Sequence, residues 1–384
     1  MEPVAEKLEV TKPTPIVDFK TGNDPVDVII AQSAEARRIN VTTGGGDDGI
    51  SASVASRGRA NIDVGSGNND VSVKGALFSS TTIRAGDGDD AFNFEALPGS
   101  AARLRAEAGD GDNEFDITIA GGSQRIVGGS GNDKVTITTR EPDELVDFRG
   151  TKLGGSVSVN LGAGNDDVVL TTPEDELLSS DSARLAVSAA SLRGLTGPGN
   201  DFVQTGGGRD SFSLGEGADQ GSTGRGNDRV FGGDGDDLIL AGAGRDRIFG
   251  GNGNDQLSGD DGDDFLNGGA GNDRLVGGAG DDSIIFGAGT DIGSGDGGSD
   301  TFLFFKNNGL NTIVDFNQGR GQKDLLDLRG LDVTAEEALA NAKTTFISAQ
   351  ESTTFSFEGT VIRLYNVKKD DLSEDDIIGD SPTA

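Results

Sequence analysis

The stretch GGDGDDLIL at residues 232–240 belongs to a series of nine-residue repeats that decides the fold. Residues 196–303 divide without a gap into twelve such nonapeptides, among them GGNGNDQLS (250–258) and GGAGNDRLV (268–276). The fourth position is Gly and the sixth is Asp in all twelve, the second is Gly in ten, and the eighth is apolar in ten. A flexible glycine-rich linker has no need of a fixed apolar position. The conserved register therefore indicates an ordered repeat.

Each nonapeptide predicts a turn followed by a short strand. The six residues Gly-Gly-x-Gly-x-Asp form the turn, because Gly adopts positive φ angles and lets backbones approach closely. The last three residues form a strand whose middle, apolar side chain points inward. Two nonapeptides then make one 18-residue coil, and coils stack about 4.8 Å apart at ordinary strand spacing. The predicted fold is an all-β parallel solenoid over most of the chain, with a small mixed C-terminal cap.

Stacking brings every second sixth-position aspartate to the same edge of the solenoid, where the carboxylates repel each other unless a cation lies between them. Carboxylate and carbonyl oxygens are hard ligands that suit Ca²⁺, with its six to eight oxygens and tolerant geometry. We therefore predict several bound Ca²⁺ ions, held by Asp201, Asp210, Asp219, Asp228, Asp237, Asp246, Asp255, Asp264, Asp273, Asp282, Asp291 and Asp300.

The nonapeptide resembles the calcium-binding repeat of the RTX family. The resemblance implies a parallel β-roll in which the aspartate and the carbonyls of the Gly-x-Gly turn share a Ca²⁺ with the next coil on the same edge. The turn glycines implied as backbone ligands are Gly224, Gly226, Gly233, Gly235, Gly242, Gly244, Gly251, Gly253, Gly269, Gly271, Gly278 and Gly280.

Related turns recur upstream at wider spacing, and alternating strands without a glycine turn lie between them. We expect coils there with one calcium-type turn each, at Asp48, Asp90, Asp133 and Asp166. Asn69 and Asn113 replace the aspartate in two turns, which predicts weaker or empty sites. Residues 140–155 and 171–183 are expected to be projecting loops. A separate β-sandwich is the alternative for this region.

Composition limits the range of functions. The chain of 384 residues has 65 acidic and 32 basic side chains, for a net charge of −33, and no Cys or His. Such acidity argues against nucleic acid and anionic membrane surfaces as partners. The lack of Cys excludes disulfides and cysteine zinc sites. No apolar run is long enough to predict insertion into a membrane. Without a ligand that cancels its charge, such a chain is close to the disordered class.

The repeats suggest four domains: an extended arm over 1–21, a one-sided solenoid over 22–195, the twelve-repeat roll over 196–303, and a cap over 304–384. The cap is expected to contain a helix around 334–342 with Thr334 as its N-cap. It resembles the C-terminal region of type I secreted RTX proteins. That resemblance implies export by the type I machinery of a Gram-negative bacterium, without a cleaved N-terminal signal peptide.

These expectations point to an extracellular or cell-surface structural protein, such as a subunit of an S-layer, filament or matrix, that forms homo-oligomers or polymers through its termini. Strand addition of the arm to a neighbouring subunit is one route. An adhesive module that binds a surface glycan is the first alternative, and a Ca²⁺-dependent polysaccharide-modifying enzyme is the second. The absence of His excludes histidine-based zinc proteases and Ser-His-Asp triads. We therefore expect no enzymatic activity.

Overall fold

Parallel strands that lie one coil apart build nearly all of the described structure. The computed structural model describes residues 6–9, 16–20, 22, 26–30, 37–76, 79–97, 101–119, 122–139, 155–161, 167–171, 191–317, 323–347 and 350–380. The chain divides into two units, Met1–Phe212 and Ser213–Ala384.

The first unit contains eighteen described strands: β1 (Glu6–Glu9), β2 (Ile16–Lys20), β3 (Val26–Ile30), β4 (Arg38–Thr42), β5 (Gly49–Val54), β6 (Arg59–Asp63), β7 (Asp70–Gly75), β8 (Ser80–Arg84), β9 (Ala91–Ala96), β10 (Arg103–Glu107), β11 (Glu114–Ile119), β12 (Gly122–Val127), β13 (Lys134–Thr139), β14 (Gly155–Asn160), β15 (Asp167–Thr171), β16 (Ser191–Pro198), β17 (Phe202–Gln204) and β18 (Gly207–Gly208).

Strands of the first unit alternate between two parallel sheets. The odd-numbered strands from β1 to β17 pair with one another, and so do the even-numbered strands from β2 to β16. Gly49 pairs with Asp70, and Asp70 with Ala91, so one coil there takes 21 residues. Alternate side chains point inward, and stacked Phe92 and Phe115 have ring centroids 4.8 Å apart.

The second unit begins within β19 and has the same strand pattern with shorter coils. Its strands are β19 (Ser211–Glu216), β20 (Gln220–Ser222), β21 (Arg225–Gly226), β22 (Arg229–Asp234), β23 (Leu238–Ala243), β24 (Arg247–Asn252), β25 (Gln256–Asp261), β26 (Phe265–Ala270), β27 (Arg274–Ala279), β28 (Ser283–Gly297), β29 (Thr301–Phe305), β30 (Gly309–Ile313), β31 (Leu325–Gly330), β32 (Lys343–Ile347), β33 (Gln350–Phe357), β34 (Thr360–Leu364) and β35 (Ile377–Ile378). Val230 pairs with Ile248 and Ile248 with Leu266, which gives a coil of 18 residues.

Glycine is favoured in these turns because their backbone is left-handed. All fourth-position glycines of the repeats, and all second-position ones except Gly206, have positive φ, for example 126° at Gly233 and 132° at Gly235. The two repeats without a second-position glycine keep the same conformation, with φ of 73° at Asp260 and 61° at Asp296. Aspartate tolerates this region better than most residues with a side chain, so the turn survives the replacement.

Two repeats fill the core in a different way. Gly221 and Gly293 stand at the usually apolar eighth position, and in the same two repeats Leu214 and Phe286 stand at the first position. Both large side chains are fully buried. A Cβ on Gly293 would lie only 2.7 Å from the ring of Phe286, and one on Gly221 would lie 3.4 Å from Leu214. The first-position side chain therefore occupies the volume that the eighth position normally fills.

The C-terminal part of the second unit combines roll strands with a small mixed structure. Strands β30 and β34 pair in parallel, whereas β32, β33 and β34 form an antiparallel sheet. Helix α1 (Ala335–Asn341) begins after Thr334, whose side chain accepts from the backbone of Glu337 while Glu337 reaches back to Thr334. Two 3₁₀ helices follow at Lys369–Asp371 and Glu374–Asp376. No helix in the described ranges is long and apolar enough to cross a membrane.

The predicted fold class is confirmed, since both units are parallel β-solenoids with little helix. The predicted helix with Thr334 as its N-cap is confirmed as well. The separate β-sandwich is wrong for 22–195, because the described strands there pair in parallel at one-coil intervals. Strand β2, within the predicted arm, pairs in parallel with β4 of the same chain. Most of both predicted loops, at 140–154 and 172–183, lies outside the described residues.

The exchange between Phe286 and Gly293 predicts strong coupling of these two positions. Phe286→Ala should leave a cavity and lower the free energy of unfolding by about 3–5 kcal/mol. Gly293→Val should crowd the ring and cost about 1–3 kcal/mol. The double variant restores the usual repeat pattern and should be more stable than Phe286→Ala alone, as urea unfolding in saturating calcium measures. Additive losses would show that the two positions do not share one volume.

Candidate metal centres

Aspartates at the sixth repeat position are buried wherever the structure describes them. The buried set, each 1–3% exposed, is Asp48, Asp90, Asp133, Asp201, Asp210, Asp219, Asp228, Asp237, Asp246, Asp255, Asp264, Asp273, Asp282, Asp291 and Asp300. Asp166 lies outside the described residues. A buried carboxylate is costly unless hydrogen bonds or an opposite charge compensate it. The rows of aspartates therefore need an explicit partner.

One carboxylate oxygen has such a partner in Asp90, in Asp133 and in every repeat aspartate from Asp237 to Asp300. In the second unit, Oδ1 accepts a hydrogen bond from the backbone N–H of the aspartate one coil earlier, as in Asp237 from Asp219 (2.9 Å), Asp255 from Asp237 (2.9 Å) and Asp264 from Asp246 (2.7 Å). The same bond continues along each edge to Asp273, Asp282, Asp291 and Asp300. We call this row of sixth-position residues the inner ladder.

The second carboxylate oxygen lacks a donor. Oδ2 is buried without a hydrogen-bond partner in Asp90, Asp237, Asp246, Asp255, Asp264, Asp273, Asp282 and Asp291. An unpaired buried acceptor costs about 1–3 kcal/mol, and more when it is charged. The inner ladder of the second unit therefore presents a repeated row of uncompensated oxygens.

These oxygens lie beside first-position glycines and carbonyl groups. A Cβ on Gly232 would be 2.2 Å from Oδ2 of Asp237 and 2.6 Å from the carbonyl oxygen of Gly250, which belongs to the next coil. Gly250 and Gly259 stand in the same relation to their own aspartates and next-coil carbonyls. Glycine thus leaves a small space lined by carboxylate and carbonyl oxygens. The residues present fit a hard cation such as Ca²⁺.

Backbone oxygens must complete any such site. Across the described ranges, no three acidic side chains converge closely enough to hold an ion by themselves. The turn glycines named from the sequence all have positive φ, from 81° at Gly224 to 150° at Gly226, and so shape the turns as the resemblance implies. Their role as calcium ligands stays a prediction.

Burial of the inner ladder shifts its protonation. Desolvation raises the pKa of Asp255, Asp273 and Asp300 to about 6, of Asp237 and Asp264 to about 7, and of Asp282 to about 8. Neighbouring carboxylates raise the pKa of these groups further. In contrast, the exposed carboxyl of Asp263 has a lowered pKa, because Arg245 donates a hydrogen bond to it. The buried carboxylates therefore favour a bound proton or a cation over bare charge.

The cap closes one inner ladder with a residue outside the repeats. The carboxylate of Asp324 accepts from the backbone N–H of Asp300 (3.0 Å) at Oδ1 and from that of Asn317 (2.6 Å) at Oδ2. Both of its oxygens have donors. The nonapeptide spacing ends before this point, so only a search for buried aspartates in the predicted cap strands would have found it.

A second, exposed ladder runs along the fifth positions and was missed from the sequence. Where Asp or Asn stands there, its side-chain oxygen can accept from the backbone one coil later, as in Asp236 from Asn254 (2.7 Å) and Asn254 from Asn272 (2.9 Å). Frequent Asp and Asn at this position was the available signal. These outer side chains stabilise coil stacking without facing the buried oxygens.

Comparison with family models supports the geometric argument. The chain matches the model described as RTX calcium-binding nonapeptide repeat (4 copies) at residues 119–136, 195–230, 222–257, 258–293 and 267–302. The last four ranges overlap the twelve nonapeptides almost completely, and the first contains Asp133. No curated protein matches the chain. The chain therefore carries RTX calcium-binding repeats, and the resemblance inferred from its nonapeptides is confirmed.

Acidification should promote folding of the metal-free second unit. An unfolded aspartate titrates near pH 4 (about 3.9), whereas the buried ones have pKa values raised to about 6 to 8. Preferential proton binding stabilises the folded state fully below about pH 4, and this contribution is lost as pH rises through the folded pKa values. Circular dichroism of decalcified protein should show more β-structure at pH 5 than at pH 8.5, with light scattering to detect aggregates. Equal signals at both pH values would contradict this.

Two adjacent aspartates allow a matched test of the inner ladder. Asp264 is buried with an unpaired Oδ2, whereas its neighbour Asp263 is exposed and paired with Arg245. Asp264→Ala should lower the number of bound Ca²⁺ ions and raise the calcium concentration at half-folding several-fold, because it removes a proposed ligand. Asp263→Ala loses the same charge and should change both much less. Atomic absorption and calcium titrations measure the two effects; equal effects would exclude Asp264 as a ligand.

Proposed function

We propose that this RTX-repeat chain is a secreted, calcium-binding structural surface protein that folds when Ca²⁺ enters its roll. The observation that carries the proposal is the row of buried Asp Oδ2 atoms without hydrogen-bond donors in the second unit. Bound Ca²⁺ would supply positive charge to these oxygens and to the neighbouring carbonyls. The sixth-position aspartates and the turn backbone would hold it.

Charge and location make calcium a folding signal in this proposal. The net charge of −33 opposes compaction of the metal-free chain. Extracellular calcium modules bind with dissociation constants of about 10⁻⁴–10⁻³ M. Because binding free energy becomes folding free energy, the roll of the second unit would stay unfolded in calcium-poor cytosol and fold outside. RTX repeats are in general found in exported proteins, which supports an extracellular location and export by the type I machinery.

The distribution of structure supports a structural role. Coils occupy most of the described residues, and the mixed cap is small. The solenoid itself would then be the functional surface. As part of the proposal, the chain self-associates through its ends into an S-layer, filament or matrix. RTX repeats are typically non-enzymatic, and we propose no catalytic activity.

A ligand-binding module is the second candidate, favoured by one outward surface of the second unit. Phe231 and Phe249 stack in neighbouring coils with centroids 4.8 Å apart, and the guanidinium of Arg229 lies 4.6 Å from the centre of the Phe231 ring. All belong to outward positions of the repeat. Aromatic and guanidinium faces of this kind suit the apolar faces of sugar rings.

Electron microscopy in 5 mM calcium should show ordered polymers, and in equal magnesium it should show none, because Mg²⁺ fits a flexible carbonyl site poorly. Size-exclusion chromatography with light scattering checks the same samples. Monomers that persist in calcium at high concentration would exclude the assembly role. Persistent monomers that bind glycans, with binding lost in Phe231→Ser/Phe249→Ser, would favour the second candidate.

A further inference from the structure

Between residues 48 and 133, the inner ladder of the first unit alternates between aspartate and asparagine. Its members there are Asp48, Asn69, Asp90, Asn113 and Asp133, each one coil from the next. The backbone N–H of each of the first four donates to the side-chain Oδ1 of the following member, at 3.0–3.2 Å. Asn69 and Asn113 are as deeply buried as the aspartates, at 2% and 1% exposure. The two asparagines therefore hold true ladder positions.

The amide groups of these asparagines donate hydrogen bonds to carboxylate and carbonyl oxygens around them. Nδ2 of Asn113 donates to Oδ1 of Asp133 (2.9 Å) and to the carbonyl oxygens of Gly111 (2.9 Å) and Gly109 (3.3 Å). Nδ2 of Asn69 donates to Oδ1 of Asp90 and to the carbonyl oxygen of Gly67, both at 2.8 Å. Each amide thus joins a turn of its own coil to the carboxylate of the next coil.

These oxygens are of the types that a calcium ion would bind in the second unit: carbonyls of the Gly-x-Gly turn and a ladder carboxylate. There, the ladder side chain ends in a second oxygen, and Oδ2 of Asp237, Asp255 and Asp273 has no donor. In the first unit, the corresponding atom of Asn69 and Asn113 is a nitrogen that carries two hydrogens. The amide can therefore supply locally, as a donor, what a cation supplies in the second unit.

The spacing of the ladder carboxylates also indicates that the first unit needs calcium less than the second unit does. Alternation places the ladder carboxylates of the first unit two coils apart, about 10 Å, whereas in the second unit they recur every coil, about 5 Å. Doubling the separation at least halves the Coulomb repulsion. Residues 37–139 carry ten basic and fourteen acidic side chains, a net charge of −4, whereas residues 196–303 carry six and twenty, a net charge of −14. The coils of residues 37–139 therefore have much less charge for calcium to neutralise.

Outward side chains of the first unit also join neighbouring coils without a metal. Lys74 pairs with Glu95 (2.8 Å), Lys134 with Glu114 (2.7 Å) and Arg84 with Glu107 (3.0 Å), each across paired strands. Single exposed pairs of this kind contribute little. Like the asparagine amides, however, these Lys and Arg side chains bring positive groups of the chain itself between neighbouring coils.

We propose that Asn69 and Asn113 replace calcium in the first unit, so that the coils of residues 37–139 remain folded when calcium is removed. The chain would then have a metal-independent segment and a metal-dependent one. This inference deepens the proposed calcium-dependent folding, on which it rests for the contrast with the second unit.

Hydrogen exchange with mass spectrometry on the full chain tests the inference. In excess chelator, the amides of β5, β7, β9 and β11 should exchange at least tenfold more slowly than those of residues 228–303, and calcium should protect both. Asn69→Asp/Asn113→Asp should abolish the protection of the first set in chelator, restore it in calcium, and increase the number of bound Ca²⁺ ions. Rapid exchange of the wild-type first set in chelator would overturn the inference, and so would unchanged protection in the variant.

The matched control is Asn68→Asp/Asn132→Asp. It adds the same two charges at exposed fifth positions, where Asp89 and Asp112 already stand, and should keep the protection. Loss of protection in this control as well would attribute the effect to charge alone and overturn the inference. Protection of residues 228–303 in chelator would instead overturn the proposed calcium-dependent folding, so the two failures are distinguishable.

A reciprocal variant covers the case in which Asn69→Asp/Asn113→Asp does not fold. Asp237→Asn/Asp273→Asn creates the same alternation on one edge of the second unit, between Asp219, Asp255 and Asp291. It should lower the calcium concentration at half-folding of residues 228–303, because two amides then take the place of ions. A raised midpoint would overturn the inference.

Discussion

A buried carboxylate with one satisfied and one unsatisfied oxygen is the constraint on which the second unit depends. From Asp237 to Asp291, Oδ1 of each inner-ladder aspartate accepts from the backbone of the preceding coil, which fixes the side chain in place. Oδ2 of these aspartates is then held away from water with no donor. Because the aspartate is both the contact between coils and a source of repulsion, the same residue that aligns the roll also makes it require a cation.

Glycine and core volume follow from that constraint. The turn can bring carboxylates into register only with left-handed backbone at two positions, which glycine supplies and Asp260 and Asp296 tolerate. The short strands leave room for little more than one inward side chain per repeat. Where that side chain is missing, Phe286 or Leu214 fills the volume from the first position. The core is therefore a narrow column whose volume is conserved, although the position that supplies it varies.

Strict periodicity made the roll, its turns and its rows of aspartates predictable from sequence. Residues separated by one coil must lie on the same edge of the roll. The repeat spacing alone therefore predicted that Asp237 and Asp255 are neighbours in one row. Asp324 was not predictable in this way, because it joins the ladder across a longer, irregular connection. The roles of Asn69 and Asn113 were also missed: the sequence shows a lost carboxylate, whereas only the structure shows where the amide hydrogens point. The Phe286 exchange was visible in the repeats, but its meaning depended on side-chain direction.

The inner ladder has a polarity. Along it, the backbone of each coil donates to the side chain of the next, so a coil offers an N–H toward the C-terminal side and a carboxylate toward the N-terminal side. The fifth-position ladder runs in the opposite sense. The two ends of such a stack are chemically different and not interchangeable. Coils or copies can therefore extend it only head to tail, and its C-terminal end must be closed by an acceptor, the part that Asp324 plays for one edge.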